Sequence, residues 1–375
     1  MEQRQRVRER IPEREQRLHN YAFNEERAER SGLLSRLFKE APRVVKTDDM
    51  PWEQVYQSYH KILTGSNLPN LEKRLKQAPI YHLVSRLQLL ETGHKNGNHR
   101  HYPEALFFIL EGKGHEVHDD VRWDWEGGDL VMVPPYCIHQ HFCDEGPARI
   151  FFCVGEVANQ WGLGGAEQFE AAPEFVMPEG STTLYDADGN LAGYRSKDGL
   201  DVLFRAHAVG RENMARRKQP VEPSHEVSDL YEYYIRLFEE EVHWRQTVPQ
   251  VIRQRDRQWM DTRNGRILWY THPQLTTGLR TFEVYLQEIP PGGRSGKHHH
   301  VGEELHFIIE GSGYEVIDGE RYDWDTNDLV CIPVLTTHQS FNRDPHHPAR
   351  FLSVKSRHYD NLGFGGIEHF EDALA

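Results

Sequence analysis

The chain has 375 residues and carries 44 Lys and Arg against 58 Asp and Glu, a formal net charge of −14. This length predicts two or three domains, and so negative a charge argues against nucleic acid as the main partner. The N-terminus, MEQRQRVRERIPEREQRL, lacks the apolar region of a signal peptide, and no apolar run is long enough to cross a bilayer. The four cysteines form no C-x-x-C pair: Cys137, Cys143, Cys153 and Cys331. We therefore expect a cytoplasmic protein with reduced thiols and no membrane association.

Residues 1–80 are highly charged and predict a helical N-terminal arm. Apolar residues recur there at helical spacing, at Leu33, Leu34 and Leu37 and again at Val55, Tyr59 and Ile62. The first thirty residues are too polar to form a core alone. They are either frayed or laid across another subunit, and we favour the second interpretation.

From about Tyr81 the pattern becomes typical of an all-β barrel or sandwich, because short apolar runs alternate with Gly, Asp and Pro roughly every ten residues. Later, the sequence DADGNL from Asp186 predicts a hairpin tip, and residues 227–260 predict a helix broken at Pro249. We expect four parts: a charged helical arm over 1–80, a first barrel over 81–171, a partly helical insert over 172–275, and a second barrel over 276–375.

The segment from Gly93 to Phe142 occurs twice. It matches residues 292–341 without gaps at a constant shift of 199 residues, visible in His99 and His298 and in His139 and His338. Such a copy indicates one structural unit used twice. Related tails follow both copies, WGLGGAEQFE and LGFGGIEHFE, where the loop before the second tail is two residues longer.

Both copies contain an H-x-H pair and a third histidine about forty residues later. Side chains at i and i+2 of a strand point to the same face, so His99 and His101 project together, as do His298 and His300. A third imidazole from a distant strand closes a metal site that keeps coordination positions open, as catalytic metal sites need.

These residues resemble the cupin family, whose first motif is G-x5-H-x-H-x3-E-x6-G and whose second motif carries the third histidine. The C-terminal copy matches in full, at Gly292, His298, His300, Glu304, Gly311 and His338. The N-terminal copy matches at Gly93, His99, His101, Gly112 and His139. It has Ala105 where the family has glutamate. The resemblance implies a mainly β protein with two double-stranded β-helix, or jelly-roll, barrels.

The two ligand sets predict different metal chemistry. Three neutral imidazoles leave a divalent ion its full charge and three open positions, which suits Fe(II) holding a bidentate substrate beside dioxygen. The second set adds a carboxylate, which lowers the charge and occupies one position. Iron, manganese or nickel fits this set: His298, His300, Glu304 and His338.

The run HRHYPEALFFILEG, followed by a proline-led strand with H-x-H, resembles gentisate-type dioxygenases. These are bicupins that open aromatic rings with three-histidine iron and no glutamate. The resemblance implies that His99, His101 and His139 bind Fe(II) in a catalytic N-terminal barrel, where a small aromatic substrate meets dioxygen. His141 shares a strand face with His139 and is our candidate base for the phenolic proton. A satisfied histidine of the barrel interior is the alternative for His141.

The chain departs from that family at two pocket positions. Pro103 stands where the family usually has glutamine, and Phe107 where it has arginine. Phe107 should point into the barrel and make an apolar pocket, which argues against gentisate itself unless Arg86 or Arg149 replaces the missing arginine. In the C-terminal copy His306 stands at the position of Phe107, so that barrel should have a more polar interior.

We therefore expect a dioxygenase of aromatic-compound degradation that opens the ring of a hydroxylated aromatic acid or related phenolic. One alternative is another bicupin metalloenzyme, a decarboxylase, lyase or quercetinase-like oxygenase, that uses the C-terminal site. Another is a non-catalytic binding protein, against which the ligands retained in both copies count. The polar arm and the helical insert favour a homo-oligomer, a dimer or tetramer.

Overall fold

The computed structural model describes residues 32, 39–65, 78–155, 157, 166–187, 189, 191–203, 219–275 and 278–374. In these ranges the protein is mainly β, as expected. Its longest helix there is α1 (Leu230–Thr247), which is capped by the Asp229 carboxylate on the backbone N–H groups of the first turn. No helix in the described ranges is long and apolar enough to span a membrane.

The first barrel consists of two antiparallel layers that share two long strands. Its strands are β2 (Glu53–Gln54), β3 (Tyr59–Thr64), β4 (Leu83–Leu90), β5 (His99–His101), β6 (Ala105–His118), β7 (Val121–Glu126), β8 (Leu130–Val133), β9 (His139–Gly155) and β10 (Ala166–Gln168). One layer has the order β8-β6-β9-β4-β3-β2, and the other pairs β7 with β6, β9 with β5, and β5 with β10.

The insert between the barrels contains a small antiparallel sheet as well as α1. Its strands are β11 (Thr182–Tyr185), β12 (Leu191–Arg195) and β13 (Asp201–Leu203). The hairpin predicted at Asp186 is confirmed, because β11 and β12 pair on either side of it.

The second barrel repeats the topology of the first. Its strands are β15 (Trp259–Thr262), β16 (Gly265–Thr271), β17 (Phe282–Ile289), β18 (Lys297–His300), β19 (Glu304–Glu310), β20 (Ser312–Ile317), β21 (Glu320–Asp325), β22 (Leu329–Ile332), β23 (Thr337–Asn342), β24 (Ala349–Ser356) and β25 (Ile367–Glu371). The layer β22-β19-β24-β17-β16-β15 faces the layer β21-β20-β23-β18-β25. The prediction of two barrels from a duplicated unit is thus confirmed.

A short strand from the segment that precedes each barrel pairs with an edge strand of the other barrel. Strand β1 (Val44–Val45) pairs with β22 of the second barrel, and β14 (Val251–Ile252) pairs with β8 of the first. Side chains next to these two strands also reach the other barrel: Lys46 contacts Asp328, and Arg253 contacts Asp129. The two halves of the chain are therefore interlocked.

The expected helical arm is not confirmed in the described ranges. The spacing of Val55, Tyr59 and Ile62 suggested a helix, but Tyr59–Thr64 is the strand β3, paired along β4. A short apolar run fits either period, and burial against β4 decides for the strand. Strand β3 therefore joins the sheet of the first barrel, and β15 and β16 join that of the second. Residues 1–31 and 33–38, including Leu33, Leu34 and Leu37, lie outside the described residues.

The helix predicted over residues 227–260 is correct only in its first part. Helix α1 ends before Pro249, as the break at that proline predicted. Beyond it the chain forms β14 and β15, because both segments find strand partners.

One apolar core runs through both barrels. It joins the layers that contain β4, β9, β17 and β24, and the rings of Phe151 and Phe307 lie 5.1 Å apart within it. Each barrel also has a core of its own inside the lumen. The barrels therefore pack back to back, with their metal-ligand candidates on the separate inner faces.

Two buried glutamates at equivalent positions reach across this contact. Glu104 accepts hydrogen bonds from backbone N–H groups at the start of β17, and Glu303 accepts them from backbone N–H groups at the start of β4. The donors are Arg280 (3.0 Å) and Thr281 (2.8 Å) for Glu104, and Tyr81 (2.5 Å) and His82 (2.8 Å) for Glu303. Burial raises the pKa of both carboxyls, that of Glu303 to about 7, although the N–H donors act to lower it.

Candidate metal centres

Three histidines meet inside the first barrel. His99 and His101 extend from β5, and His139 is the first residue of β9, directly paired with His99. Ring centroids are 4.1 Å apart for His99 and His139, 4.8 Å for His101 and His139, and 5.6 Å for His99 and His101. One ring nitrogen of each lies within 4.8 Å of the others. The predicted N-terminal ligand set is therefore brought together.

Backbone carbonyls fix the orientation of these three rings. Each Nδ1 atom lies against a carbonyl oxygen, of Gly97 (2.9 Å), Pro103 (2.8 Å) and Cys137 (3.1 Å) for His99, His101 and His139 in turn. A carbonyl only accepts, so each Nδ1 carries the proton and each Nε2 presents a lone pair. Partners of this kind orient metal-ligating histidines.

The protonation state of the cluster also suits a metal ion. Burial lowers the pKa of all three imidazoles, that of His101 to about 4. The Nε2 atoms of His101 and His139 are buried and have no hydrogen-bond partner among the described residues. Neutral rings with buried lone pairs facing one point are what a divalent cation requires, so the residues fit a metal.

The second barrel holds an equivalent cluster with a carboxylate added. His298 and His300 extend from β18, Glu304 begins β19, and His338 lies on β23. The ring centroid of His338 is 4.3 Å from that of His298 and 5.1 Å from that of His300. The four potential ligand atoms lie within 4.8 Å of one another. The predicted C-terminal set is therefore also brought together.

The two oxygens of Glu304 have different surroundings. Oε2 faces the cluster, 2.7 Å from Nε2 of His300, whereas Oε1 accepts a hydrogen bond from the Tyr285 hydroxyl at 2.8 Å. Oε1 also contacts the Ser353 hydroxyl and lies 3.2 Å from Nε2 of His306. Burial acts to raise the pKa of Glu304, but His306 and His300 outweigh it and hold that pKa well below its usual value. One oxygen is thus anchored while the other is directed at the metal position.

Strand register shows how differently the two interiors are lined. Around the second cluster, a layer across β19, β24 and β17 consists of Glu304, Lys355 and Glu283. The same layer in the first barrel consists of Ala105, Val154 and Val84. The next layer contains His306, Ser353 and Tyr285 in the second barrel, and Phe107, Phe152 and Arg86 in the first. In these two layers the first interior is therefore mainly apolar, and the second is polar.

His141 and Phe107 lie where the sequence predicted, inside the first barrel. Their rings are 4.1 Å apart, and His141 is 5.6 Å from the ring of His139. The Nδ1 atom of His141 contacts the carboxylate of Glu116, which also accepts a hydrogen bond from the Trp125 indole at 3.1 Å. Burial lowers the pKa of His141 to about 3, so its ring is neutral.

Of the other two predicted pocket residues, His306 lies beside its metal-ligand cluster and Pro103 faces a different cavity. His306 is buried beside Glu304 and stacks on Phe351 at 4.1 Å, which makes this interior polar as predicted. Pro103 orients His101 through its carbonyl and lines a separate cavity of about 220 Å³ between the barrels and α1. A direct role for its ring at the metal cluster is not supported by this position.

Of the two arginines that the sequence offered as carboxylate partners, only Arg86 faces the first cluster. Its guanidinium lies 5.5 Å from the ring of Phe152, and after burial its charge contributes to lowering the pKa of His101. Arg149 instead contacts Asn327 of the second barrel and lies 3.6 Å from Glu111.

A cavity of about 190 Å³ opens onto the second cluster. His298, His300 and Glu304 form part of its wall, together with Tyr285, Lys355 and Glu283. The sequence did not single out the last three residues. The alternation of side chains along β17 and β24 would have placed them in the barrel once the strands were aligned.

Comparisons with known proteins agree with this architecture. The cupin domain model matches residues 86–155 and again 285–355. The chain is 22% identical over 257 residues to gentisate 1,2-dioxygenase 1 of Aquipseudomonas alcaligenes, covering 67% of this chain and 64% of that protein. It is 27% identical over 125 residues to 5-aminosalicylate 1,2-dioxygenase of Comamonas sp, covering 33% and 30%. The chain thus aligns with less than two thirds of the length of these relatives.

The fold also superposes on a solved structure, a variant of the oxalate decarboxylase of Bacillus subtilis. The TM-score is 0.52 at 15% identity, over 84% of this chain and 77% of that one. At this identity the likeness concerns the fold alone. Two jelly-roll barrels, each enclosing a histidine cluster, define a protein with tandem metal-binding β-barrels. The chain contains two cupin domains and is a bicupin.

Proposed function

We propose that the protein is a metal-dependent dioxygenase that opens the ring of a hydroxylated aromatic acid or related phenolic at the N-terminal site. One observation carries the proposal: three neutral histidines, with no carboxylate in the ligand set, face two layers of mainly apolar side chains. The similarity to dioxygenases named for gentisate and 5-aminosalicylate supports the same reaction class.

The metal would be Fe(II), held by His99, His101 and His139. When bound, it would supply the electron transfer between substrate and dioxygen that the side chains of the protein cannot provide. Three imidazoles keep the positive charge of the site high, which favours an anionic phenolate as the incoming group. The protein contributes the orientation of the three rings, through the carbonyls behind them, and an interior from which apolar walls exclude water.

The substrate ring would pack against Phe107 and Phe152, whose own rings lie 5.0 Å apart, with its carboxylate directed at Arg86. Aromatic side chains favour a flat ring, and an arginine can hold a carboxylate through two parallel hydrogen bonds. Arg86 lies on the face of β4 that lines this interior, so it would replace the arginine that Phe107 displaces.

His141 would accept the phenolic proton. Contact of Nδ1 with Glu116 leaves Nε2 to receive the proton. Burial lowers the pKa of His141 to about 3, which opposes proton uptake, so this role depends on the adjacent Glu116 carboxylate. The Glu116 carboxylate would then stabilise the imidazolium that forms, as an acidic partner does behind a catalytic histidine.

A second candidate is an enzyme of another bicupin class that acts at the C-terminal site with iron, manganese or nickel. The cavity that reaches His298, His300 and Glu304 favours it. The two candidates differ in which ligand set turnover requires.

The test begins with anaerobic reconstitution with Fe(II), followed by oxygen uptake and product spectra for gentisate, salicylate, 5-aminosalicylate and catechol. His101→Ala should lose the N-terminal iron and ring opening, whereas His300→Ala should lose only the second metal. Elemental analysis of both variants verifies which site is emptied. Loss of turnover in His300→Ala alone would assign the reaction to the C-terminal site. Absence of oxygen uptake with every substrate would favour a binding protein.

We further propose that the protein forms a homo-oligomer, a dimer or tetramer, through α1. This helix exposes several large side chains, among them Leu230 (88%), Tyr231 (73%) and Tyr234 (66%). Exposed apolar groups that cluster on one element mark interaction surfaces. Light scattering on the wild type and on Leu230→Asp/Tyr234→Asp tests this, with a smaller mass expected for the variant.

A further inference from the structure

The cavity of the second barrel contains a charged pair that its fold does not require. Lys355 and Glu283 lie on adjacent strands with Nζ and Oε1 3.2 Å apart, and their side chains are only 9% and 8% exposed. Removing two such groups from water costs free energy that their attraction only partly offsets. Strands β4 and β9 of the first barrel have Val84 and Val154 at the same positions. The same architecture therefore packs well with two apolar residues there.

The pair lies in the same layer as a metal-ligand candidate. Glu304 is directly opposite Lys355 across β19 and β24, and Lys355 is directly opposite Glu283 across β24 and β17. All three side chains line the cavity of about 190 Å³. An ammonium group has three N–H donors, and the contact with Glu283 takes one. Lys355 is thus a cationic donor beside the cluster and within reach of a ligand in the cavity.

The size and charge of the cavity restrict what it would bind. Its volume is below the roughly 300 Å³ at which pockets for drug-sized ligands begin. With a divalent ion on the cluster, Lys355 against Glu283 and Glu304 leaves a net positive charge, which favours a monoanion. Arg263 also lines the cavity, but its charge is balanced by an ion pair with Asp372. Four protein ligands leave two positions of an octahedral ion, which suits a ligand with two neighbouring oxygens.

We propose that the C-terminal cavity is a second binding site, specific for a small α-oxo or α-hydroxy carboxylate whose carboxylate is held by Lys355. The two oxygens of the ligand face His298, His300, Glu304 and His338, and Glu283 holds Lys355 in place. The site is independent of the aromatic pocket in the first barrel, from which it is separated by the shared core.

The experiment uses the full chain carrying His101→Ala, loaded with Mn(II), so that elemental analysis verifies metal in the C-terminal site alone. The probes are pyruvate and pyruvamide, which have nearly the same shape but differ in charge. Binding is followed by the Mn(II) electron paramagnetic resonance spectrum and by calorimetry. Pyruvate should bind about tenfold more tightly than pyruvamide or better, as expected when a charge-assisted hydrogen bond replaces a neutral one.

The matched variant is Lys355→Val/Glu283→Val, which copies the residues of the first barrel. It should retain Mn(II) and lose the preference for pyruvate over pyruvamide. If the valine variant loses the metal, Lys355→Gln/Glu283→Gln takes its place, because it removes both charges but keeps the shape of the side chains. The preference for pyruvate should be lost in this variant too. The proposal is overturned if pyruvate leaves the Mn(II) spectrum of the parent protein unchanged, or if the preference survives in the neutral variant.

Discussion

Replacing Glu104 by alanine tests how the two barrels are held together. The carboxylate is 3% exposed and accepts three hydrogen bonds from the other barrel, including one from the Thr281 hydroxyl at 2.6 Å. The alanine variant would leave two backbone N–H groups at the start of β17 without their acceptor. It would also leave a small void beside the Thr281 hydroxyl.

The expected loss of stability follows from these contacts. A buried donor without an acceptor costs about 1–3 kcal/mol, so the two N–H groups together cost about 2–6 kcal/mol. Water that enters the void would lower the cost, and so would relief from burying the carboxylate, whose pKa burial raises. We therefore expect the lower half of that range, about 2–4 kcal/mol.

The assay is urea and thermal unfolding followed by circular dichroism and tryptophan fluorescence. Midpoints are compared, because a chain of this size departs from two-state unfolding. Glu91→Ala, which removes an exposed glutamate of the same barrel, is the matched control. If Glu104→Ala unfolds at the same midpoint as Glu91→Ala, the carboxylate does not hold the barrels together and the reasoning is refuted.

Three further predictions concern Glu104 and the N-terminal site. Because burial raises the pKa of Glu104 above its ordinary value of 4.5, its stabilising contribution is present below that value and is lost as pH rises through the folded-state pKa. The urea midpoint of wild type should therefore fall relative to Glu104→Gln as pH rises from 4, and a constant difference would contradict this. Arg86→Gln should raise KM for carboxylated substrates by about 10–100-fold and leave catechol kinetics unchanged, and equal effects on both would exclude a carboxylate contact. Ala105→Glu should keep iron, as the Glu304 site implies, but slow ring opening by about tenfold or more because a coordination position is occupied. Metal content and oxygen uptake measured on one sample check the last prediction, and full turnover would count against it.

The sequence predicted both ligand sets because their geometry is largely local. Alternation along one strand is enough to place His99 beside His101, and the constant shift between the copies makes the second set follow from the first. The motif glycines are explained by the structure: Gly112 and Gly311 both have φ of +94°, a backbone conformation that favours glycine.

What the sequence did not show depends on contacts between distant segments. Nothing local identifies Val44–Val45 or Val251–Ile252 as strands, since each has two residues and forms only against the other barrel. The helix expected at Tyr59 was wrong for the same reason. Lys355 and Glu283 belong to an interior whose lining becomes clear only when the strands are in register.

Strands β1 and β14 each precede one barrel and pair with the other. The molecule therefore resembles a strand-swapped dimer whose two subunits are joined into one chain. Cut within the insert, each half would present an unpaired edge, β22 or β8, where it now has a neighbour, and such edges promote association. Two identical chains in that arrangement must carry identical sites. A joined pair has no such constraint: Ala105 differs from Glu304, and Val154 from Lys355, so the two interiors are lined differently while the strand exchange between the barrels is symmetrical.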